Sequence, residues 1–437
     1  MIVCKFGGSS VASAIQLKKV KDIVNKNKDR QILIVSAPGK RNKEDIKVTD
    51  LLYASSEAAK NTGSCKEVFA KVRERYLGIL NDLNLDSTEM VKSLDEVEAK
   101  IDGGEGTDYA ASRGEYLNAR LISIYFGWEF VDAEELIVIN ENGTINDKTW
   151  SLCKERLSSS NYIIPGFYGK SLSNKVKTFS RGGSDISGAI ISKAVGASVY
   201  ENWTDVSGCY NADPRYIDGA YPISQMTYNE VRELSIVGAS VFHPEAIVPV
   251  HEAGIPINIK NTNSDEESGT MITLNRDDSN TEVIGVSAET GFTKLSLNKL
   301  LLLVEPGIYN VLVSIAKNNG ITPILTFINP DSICWFFKSN DISDKLLNQL
   351  KSRLIDEFKI ESVDIERDLA IIGLVGQGIK KKTSAVAASI CALNDANIAI
   401  DSINFGSSAM TLYISVKESE SREAVQSIFN ANFKVAN

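Results

Sequence analysis

Lys5 stands two residues ahead of the pair Gly7-Gly8, which Ser9 and Ser10 follow, all directly behind the apolar run at residues 2–6. That order has chemical content. A turn leaving a buried strand can bring backbone N–H groups close to a ligand if its residues tolerate positive φ, and glycines do. The two hydroxyls can donate hydrogen bonds or cap a following helix, a helix N-terminus favours a phosphate, and an ammonium adds a point charge. Together these make a phosphate cradle. It differs from the GxxxxGK[ST] loop because the lysine precedes the glycines. Taken alone, the same string serves a structural turn equally well.

A second Gly-Gly pair lies in FSRGGSDISGAI, residues 179–190, again just before a helix that is expected to begin near Ser184. Arg181 offers a planar fork for a carboxylate or phosphate, and Asp185 falls in the first helical turn, where it can hold a metal–phosphate complex or an ammonium. The alternative is that Ser184 and Asp185 only start the helix. Two Gly-Gly-Ser helix starts in one domain favour a pair of sites, one for a transferable phosphate and one for its acceptor.

Three further stretches carry candidates. In WTDVSGCYNADPR, residues 203–215, Thr204 and Asp205 end a strand, Ser207-Gly208 and Asp213-Pro214 are turn chemistry, and Tyr210 and Arg215 supply a ring and a charge suited to a nucleotide; an ordinary strand exit would look the same. In SRGEYLNARL, residues 112–121, Arg113, Glu115 and Arg120 read as a solvated helix face, and Glu115 gains interest only if a cation must be bound. In GASVFHPEAI, residues 238–247, His243 before Pro244 reads as a helix-stop or packing feature, since nothing pairs with it in sequence.

The elements that must position these residues follow from periodicity. Residues 2–6 and 31–39 read as buried strands and 12–25 as a helix with Leu17, Val20 and Val24 on one face. Residues 40–47 form a charged loop, and 49–124 are mostly helical. EFVDAEELIVIN, YIIPGFYG and ASVYENWTD read as further strands. Strands that alternate with helices and are apolar on both faces imply a mainly parallel sheet covered by helices. After the polar stretch 263–270 the rhythm changes: strands at VIGVSAE, KLSLN, ITPILTFI, SICWFFK, IESVDIE and LAIIGLVG are interspersed with helices. VLVSIAKNNGITPI and VAASICALNDANIAI both run helix, Asn-containing turn, strand, which points to paired βαββαβ modules, with two unrelated helix–strand units as the alternative.

Bulk properties narrow the class. At 437 residues the chain exceeds one ordinary core. Apolar residues at 43% and charged residues at 24% describe a soluble globular protein. A formal net charge of −9 argues against a broad nucleic-acid or anionic-membrane surface. No secretory signal and no membrane-length apolar run is expected, and six scattered cysteines without CxxC spacing fit reduced thiols in a cytoplasm. With only His243 and His251 present, a His-based metal site or Ser-His-Asp triad is disfavoured.

KFGGSS, VTDLL, SRGE, FSRGGSD, WTDVSGCYNADPR, GASVFHP and GIPINIKNTNSDEESGT, in this order, resemble the aspartate kinase family across the whole chain. The resemblance implies an α/β amino-acid-kinase-like three-layer sandwich with a mainly parallel central sheet at residues 1–280. It implies a regulatory region at 281–437 with two ferredoxin-like ACT units, the first (about 300–365) inserted within the second (about 281–299 plus 366–437). It implies phosphoryl transfer from Mg²⁺-bound ATP to the side-chain carboxylate of L-aspartate, the first step toward lysine, threonine and methionine. A sibling acting on acetylglutamate or glutamate, or an inactive amino-acid sensor, is the alternative. No second catalytic region follows, so a monofunctional enzyme is expected.

Residue by residue, the resemblance makes Lys5 and Asp185 catalytic, with Lys5, Gly7, Gly8 and Ser9 on the ATP phosphates and Thr204, Asp205, Tyr210, Arg215 and Ser240 in the nucleotide site. Ser36, Thr49, Glu115, Arg181, Gly182, Gly183 and Ser184 fall on the aspartate side, Glu115 receiving its amino group and Arg181 a carboxylate. Gly307, Asn329, Asp331 and Ser332 stand where lysine typically binds. Lysine and/or threonine are the implied effectors, and self-association through ACT sheets as a dimer or tetramer is implied, with no nucleic-acid or membrane partner. Ser9 replaces the usual Thr, Ser240 a common nucleotide-contacting lysine, and Lys382-Thr383 a usual Pro-Gly pair. Direct protein ligands of Mg²⁺ are not identified.

Overall fold

The computed structural model describes residues 1–433 except 159, 180–181, 240–241, 243, 279–281, 305–306 and 407. The candidates Arg181, Ser240 and His243 therefore lie outside the described residues. The chain divides into two compact units, one of Met1–Cys209, Pro222–Val231 and Ser240–Arg276, the other of Tyr210–Tyr221, Arg232–Ala239 and Asp277–Asn437.

Strands of the first unit are β1 (Ile2–Phe6), β2 (Arg30–Val35), β3 (Glu129–Phe130), β4 (Val138–Ile139), β5 (Tyr162–Pro165), β6 (Tyr168–Ser171), β7 (Val176–Thr178), β8 (Val199–Thr204), β9 (Gln225–Thr227), β10 (Ile257–Asn261) and β11 (Thr270–Thr273). Eight of them form one sheet in the order β3-β5-β2-β1-β8-β10-β11-β9, parallel at every pairing but β10–β11. β4, β6 and β7 form a small second sheet.

The apolar runs are buried on both faces, as a parallel sheet with helices on each side requires. Cys4, Phe6, Leu33, Val35 and Trp203 pack with five helices (Ala14–Asn25, Val48–Thr62, Lys66–Asp82, Thr88–Asp102, Thr107–Phe126) on one face. The helix Gly183–Val195 contacts β1, β2 and β8 on the other. Strand alternation assigns Cys4 and Phe6 to the first face, so Lys5 points to the second.

EFVDAEELIVIN is a correction: only Glu129–Phe130 and Val138–Ile139 are strand, with a short helix, Ala133–Leu136, between them. Asp132 and Glu135 form a reciprocal capping box there, which satisfies backbone donors locally and overrides the apolar pattern.

The second unit holds one six-stranded sheet, β12 (Gly285–Asn298), β13 (Leu325–Asn329), β14 (Ser332–Lys338), β15 (Ser362–Val375), β16 (Ser402–Phe405) and β17 (Thr411–Lys417), in the order β13-β14-β12-β15-β17-β16. VIGVSAE and KLSLN, read above as separate strands, are one strand, as are IESVDIE and LAIIGLVG. Each continues because a residue in the left-handed region, Gly291 (φ +76°) in β12 and Asp368 (φ +56°) in β15, absorbs the register shift.

The two ferredoxin-like modules thus share a central strand pair. One half carries the helices Ile308–Asn318 and Asp344–Phe358 over a core with Leu295, Leu297 and Trp335. The other carries Ser384–Asp395 and Ser421–Asn432 over Ile372, Leu374 and Ile414.

Candidate active site

Lys5 lies between Ile34 of β2 and Asn202 of β8 in the sheet register. Its Nζ is 2.6 Å from Oδ1 of Asp185 in the first turn of the helix Gly183–Val195. Asn202 locks the pair, its Nδ2 donating to Asp185 Oδ1 at 2.9 Å and its Oδ1 accepting from Lys5 Nζ at 3.5 Å. Lys5 is 8% exposed, so its ammonium has left most of its water behind, which strengthens its field at a neighbouring anion.

A cavity of about 240 Å³ is lined by Lys5, Ser36, Thr49, Glu115, Phe167, Gly182, Gly183, Ser184 and Asp185. It gathers every described residue placed above on the aspartate side, together with both residues read as catalytic. Gly182, at φ +59°, starts the helix in a conformation that glycine adopts at little cost. Ser36 follows β2, with its carbonyl accepting from Asn118 Nδ2 at 2.6 Å and its N–H donating to the Phe6 carbonyl at 3.2 Å.

The helix Thr107–Phe126 runs directly behind this loop: a Cβ on Gly114 would sit 2.8 Å from the Ala37 Cβ. Glu115 is correspondingly buried, at 6% exposure, not solvated as the sequence reading had it. Burial pushes its carboxyl up to about 8, against weaker opposing pulls from the Ala37 backbone amide and Arg113. Glu115 Oε2 has no hydrogen-bond partner. A buried carboxyl with an orphan oxygen at a cavity wall is set to receive a cationic group. Arg113 is also buried, surrounded by Tyr109, Tyr116 and Tyr168 at 4.4, 4.6 and 5.0 Å, which makes it a structural cation.

Gly7, Gly8 and Ser9 follow β1, and the Gly7 N–H donates to the Trp203 carbonyl at 3.0 Å, so this turn and the Thr204-Asp205 strand end lie side by side at the carboxyl edge of the parallel sheet. That edge is where α/β sheets bind ligands. Gly8 and Gly39 pack back to back: a Cβ on Gly39 would sit 2.7 Å from the Gly8 carbonyl carbon. Behind them Ser10 and Thr262 share a buried hydroxyl hydrogen bond of 2.7 Å. Tyr210 and Arg215 belong to the segment Tyr210–Tyr221 of the second unit, where Arg215 Nη2 is held by Asp213 at 2.6 Å.

In the second unit Asn329, Asp331 and Ser332 form the turn from β13 to β14. Asp331 Oδ1 accepts the Leu301 N–H at 2.7 Å, and Asn329 Nδ2 donates to Ser332 Oγ at 3.3 Å. Gly307, at φ +81°, starts the helix Ile308–Asn318.

Sequence reading missed Asn202, Phe167, Asn118 and Arg75. Asn202 was reachable in principle as the β8 neighbour of Lys5, had the strand register been known. Arg75 is buried and donates to Asp45 Oδ2 at 2.5 Å, Gly39 O at 2.5 Å and Ala12 O at 3.0 Å, which ties the charged loop down beside Gly8. Its helical spacing carried no such signal.

The amino acid kinase family model matches residues 1–261. Aspartokinase 3 of Bacillus subtilis is 37% identical over 99% of both chains. The crystal structure of Clostridium acetobutylicum aspartate kinase superposes with a TM-score of 0.92 at 38% identity, covering 99% of this chain and 100% of that one. Escherichia coli aspartokinase III has been crystallised with aspartate and ADP (TM-score 0.79) and with lysine and aspartate (0.77). At 23% identity and the same coverage, it shares the fold. By its full-length similarity to these enzymes and its match to the family model, this chain belongs to the aspartokinases of the amino acid kinase family.

Proposed function

We infer that this protein transfers the γ-phosphoryl group of ATP to the side-chain carboxylate of L-aspartate, giving 4-phospho-L-aspartate and ADP. The observation that carries the reading is a single small cavity holding a desolvated ammonium (Lys5) and a buried carboxyl with an orphan oxygen (Glu115). The first suits the transferring phosphoryl group, the second the ammonium of an amino-acid acceptor.

The chemistry needs little more. The acceptor carboxylate is already ionised near pH 7, so no general base is required, and phosphoryl transfer depends on positioning and charge neutralisation. Lys5 supplies positive charge at the transferring oxygens. Asp185 and Asn202 hold that ammonium in place. With the Gly7 N–H spent on the Trp203 carbonyl, the turn offers the Gly8 and Ser9 N–H groups to the phosphates, and Thr204 and Asp205 line the nucleotide side. Ser36, Thr49 and Gly182–Ser184 orient the acceptor. Arg181 is assigned an acceptor carboxylate, and Tyr210, Arg215 and Ser240 a nucleotide role, on motif alone.

Mg²⁺ is expected to enter with ATP. Such an ion is held mainly by phosphate oxygens and water; Asp185, on the cavity wall, would offer one oxygen. When bound, the ion neutralises charge on the phosphates.

Regulation by lysine and/or threonine at Gly307, Asn329, Asp331 and Ser332, and self-association through the regulatory sheet, belong to the same proposal. A helix N-terminus suits an amino-acid carboxylate, and Asp331 suits an ammonium.

An acceptor panel tests the core reading. ADP release is expected with L-aspartate, at a kcat/KM lower by roughly 10-fold or more with glutamate, and absent with acetylglutamate and nucleoside monophosphates. Turnover of another acceptor without turnover of aspartate would reject it.

A further inference from the structure

Phe167 is the one apolar side chain among the described residues lining the cavity. It follows Gly166 just beyond β5 with φ at +77°, a region that bulky residues avoid because Cβ meets the backbone. Three neighbours hold it there. Its N–H donates to Ser187 Oγ at 3.0 Å, and its carbonyl accepts the Phe179 N–H at 2.9 Å. Gly183 lies flat beneath it: a Cβ on Gly183 would be 2.5 Å from Phe167 Cδ2.

The interlock is reciprocal, since a Cβ on Gly166 would be 2.7 Å from the Ser184 Cβ. The turn after β5 and the glycine turn before Asp185 therefore fit each other closely, with Phe167 on the cavity wall. Strain of this kind persists only where the surroundings over-determine it, and it gathers at ligand sites.

The other lining groups are charged, hydroxyl-bearing or glycine backbone. An amino-diacid acceptor has one apolar part, its methylene chain, and Phe167 is the group with matching chemistry. The cavity, about 240 Å³, falls below the ~300–1,000 Å³ common for drug-sized ligands, which suits a small acceptor. Its two ionic ends are pinned, Lys5 by Asp185 and Asn202, and Glu115 within its buried helix.

We propose that Phe167 sets acceptor length. Its ring walls the cavity so that a four-carbon amino diacid spans from Glu115 to the phosphoryl site, while the extra methylene of the five-carbon homologue meets the ring. This rests on the reading of the chain as a kinase of L-aspartate.

The test compares kcat/KM for L-aspartate and L-glutamate in the wild type, Phe167→Ala, Phe167→Leu and Phe167→Gly. One methylene in a shaped pocket is worth roughly 10–200-fold in discrimination. The aspartate-to-glutamate ratio should fall at least about tenfold in Phe167→Ala, mainly through a lower KM for glutamate, and recover in part in Phe167→Leu. Phe167→Gly adopts φ +77° without strain, so it keeps the test open if the alanine variant folds poorly. An equal loss on both acceptors, or an unchanged ratio in folded variants of an enzyme that does phosphorylate aspartate, would overturn the proposal and leave the activity standing. A wild type that does not phosphorylate aspartate would fail the underlying reading, and the proposal with it.

Discussion

The Lys5 ammonium and the Asp185 carboxylate meet at 2.6 Å where β1 faces the first turn of the helix Gly183–Val195, and Asn202 bonds to both. Of the three groups only the ammonium brings positive charge to a transferring phosphoryl group; the carboxylate and amide bond to it and to each other and keep it from swinging away. Lys5→Ala is expected to lower kcat by roughly 10³-fold or more with the fold retained, at a lower unfolding temperature because Asp185 loses its partner. Asn202→Ala should lower it far less. Single-turnover kinetics check this, and a loss of only a fewfold in Lys5→Ala would make the lysine peripheral.

Glu115 sets a pH dependence for acceptor binding. Its carboxyl, raised by burial to about 8, is protonated in the empty enzyme at neutral pH. An incoming ammonium favours the carboxylate, so binding lowers this pKa and releases a proton. Affinity for aspartate should therefore rise with pH up to about 8 and flatten above it, weakening by as much as about tenfold per unit below. Calorimetric titration in two buffers of different ionisation enthalpy would show the proton release. Glu115→Gln should abolish it, and an identical proton count in that variant would contradict the assignment.

The Arg75–Asp45 pair makes a stability prediction. Arg75 holds Asp45, Gly39 and Ala12 at once, and hydrogen bonds from Arg41 and Arg75 hold the Asp45 carboxyl well below the usual carboxylate range. Removing one partner of a buried pair costs ~3–5 kcal/mol, so Arg75→Ala should lower the denaturant midpoint markedly. Because the folded pKa of Asp45 is depressed, its contribution is complete above about pH 4 and fades as pH falls further. Asp45→Asn should flatten that acid limb of the stability curve.

Asp331 offers a way to separate effector binding from loop structure. Its Oδ1 accepts the Leu301 N–H, which an amide oxygen can also do, so Asp331→Asn keeps the loop and removes the charge. Half-inhibitory lysine should rise about tenfold or more, the loss expected for one charge-assisted contact, with basal turnover retained. Unaltered inhibition would move the effector site elsewhere.

The parts of the site legible in sequence were those encoded by local turn chemistry. Gly182-Gly183 flags a ligand-facing turn because Gly182 takes φ +59° and Gly183 lies against Phe167. At Gly7-Gly8 the expected positive φ does not occur, Gly7 standing at −69°, and glycine is needed instead where Gly8 packs on Ala37 and Gly39. The parts that depend on register were not legible. Asn202 matters only because β8 lies beside β1, and Glu115 looked solvated because its burial comes from the loop Ser36–Gly39 packing on Gly114. Phe167 hides in a stretch that reads as plain strand, since its left-handed backbone is imposed by Ser187, Phe179 and Gly183 rather than by its own type. The regulatory half was read as separate strands because a bulge at Gly291 interrupts the alternation without ending β12.

Lys5 and its neighbours bring the γ-phosphoryl group of ATP onto the aspartate carboxylate. Trapping the acyl phosphate with hydroxylamine, in wild type and Lys5→Ala side by side, measures this directly. Saturable, ATP-dependent aspartyl hydroxamate from the wild type, reduced roughly 10³-fold in the folded variant, is the predicted result. Undiminished hydroxamate from Lys5→Ala, or hydroxamate formed from a different acid while aspartate gives none, would contradict it.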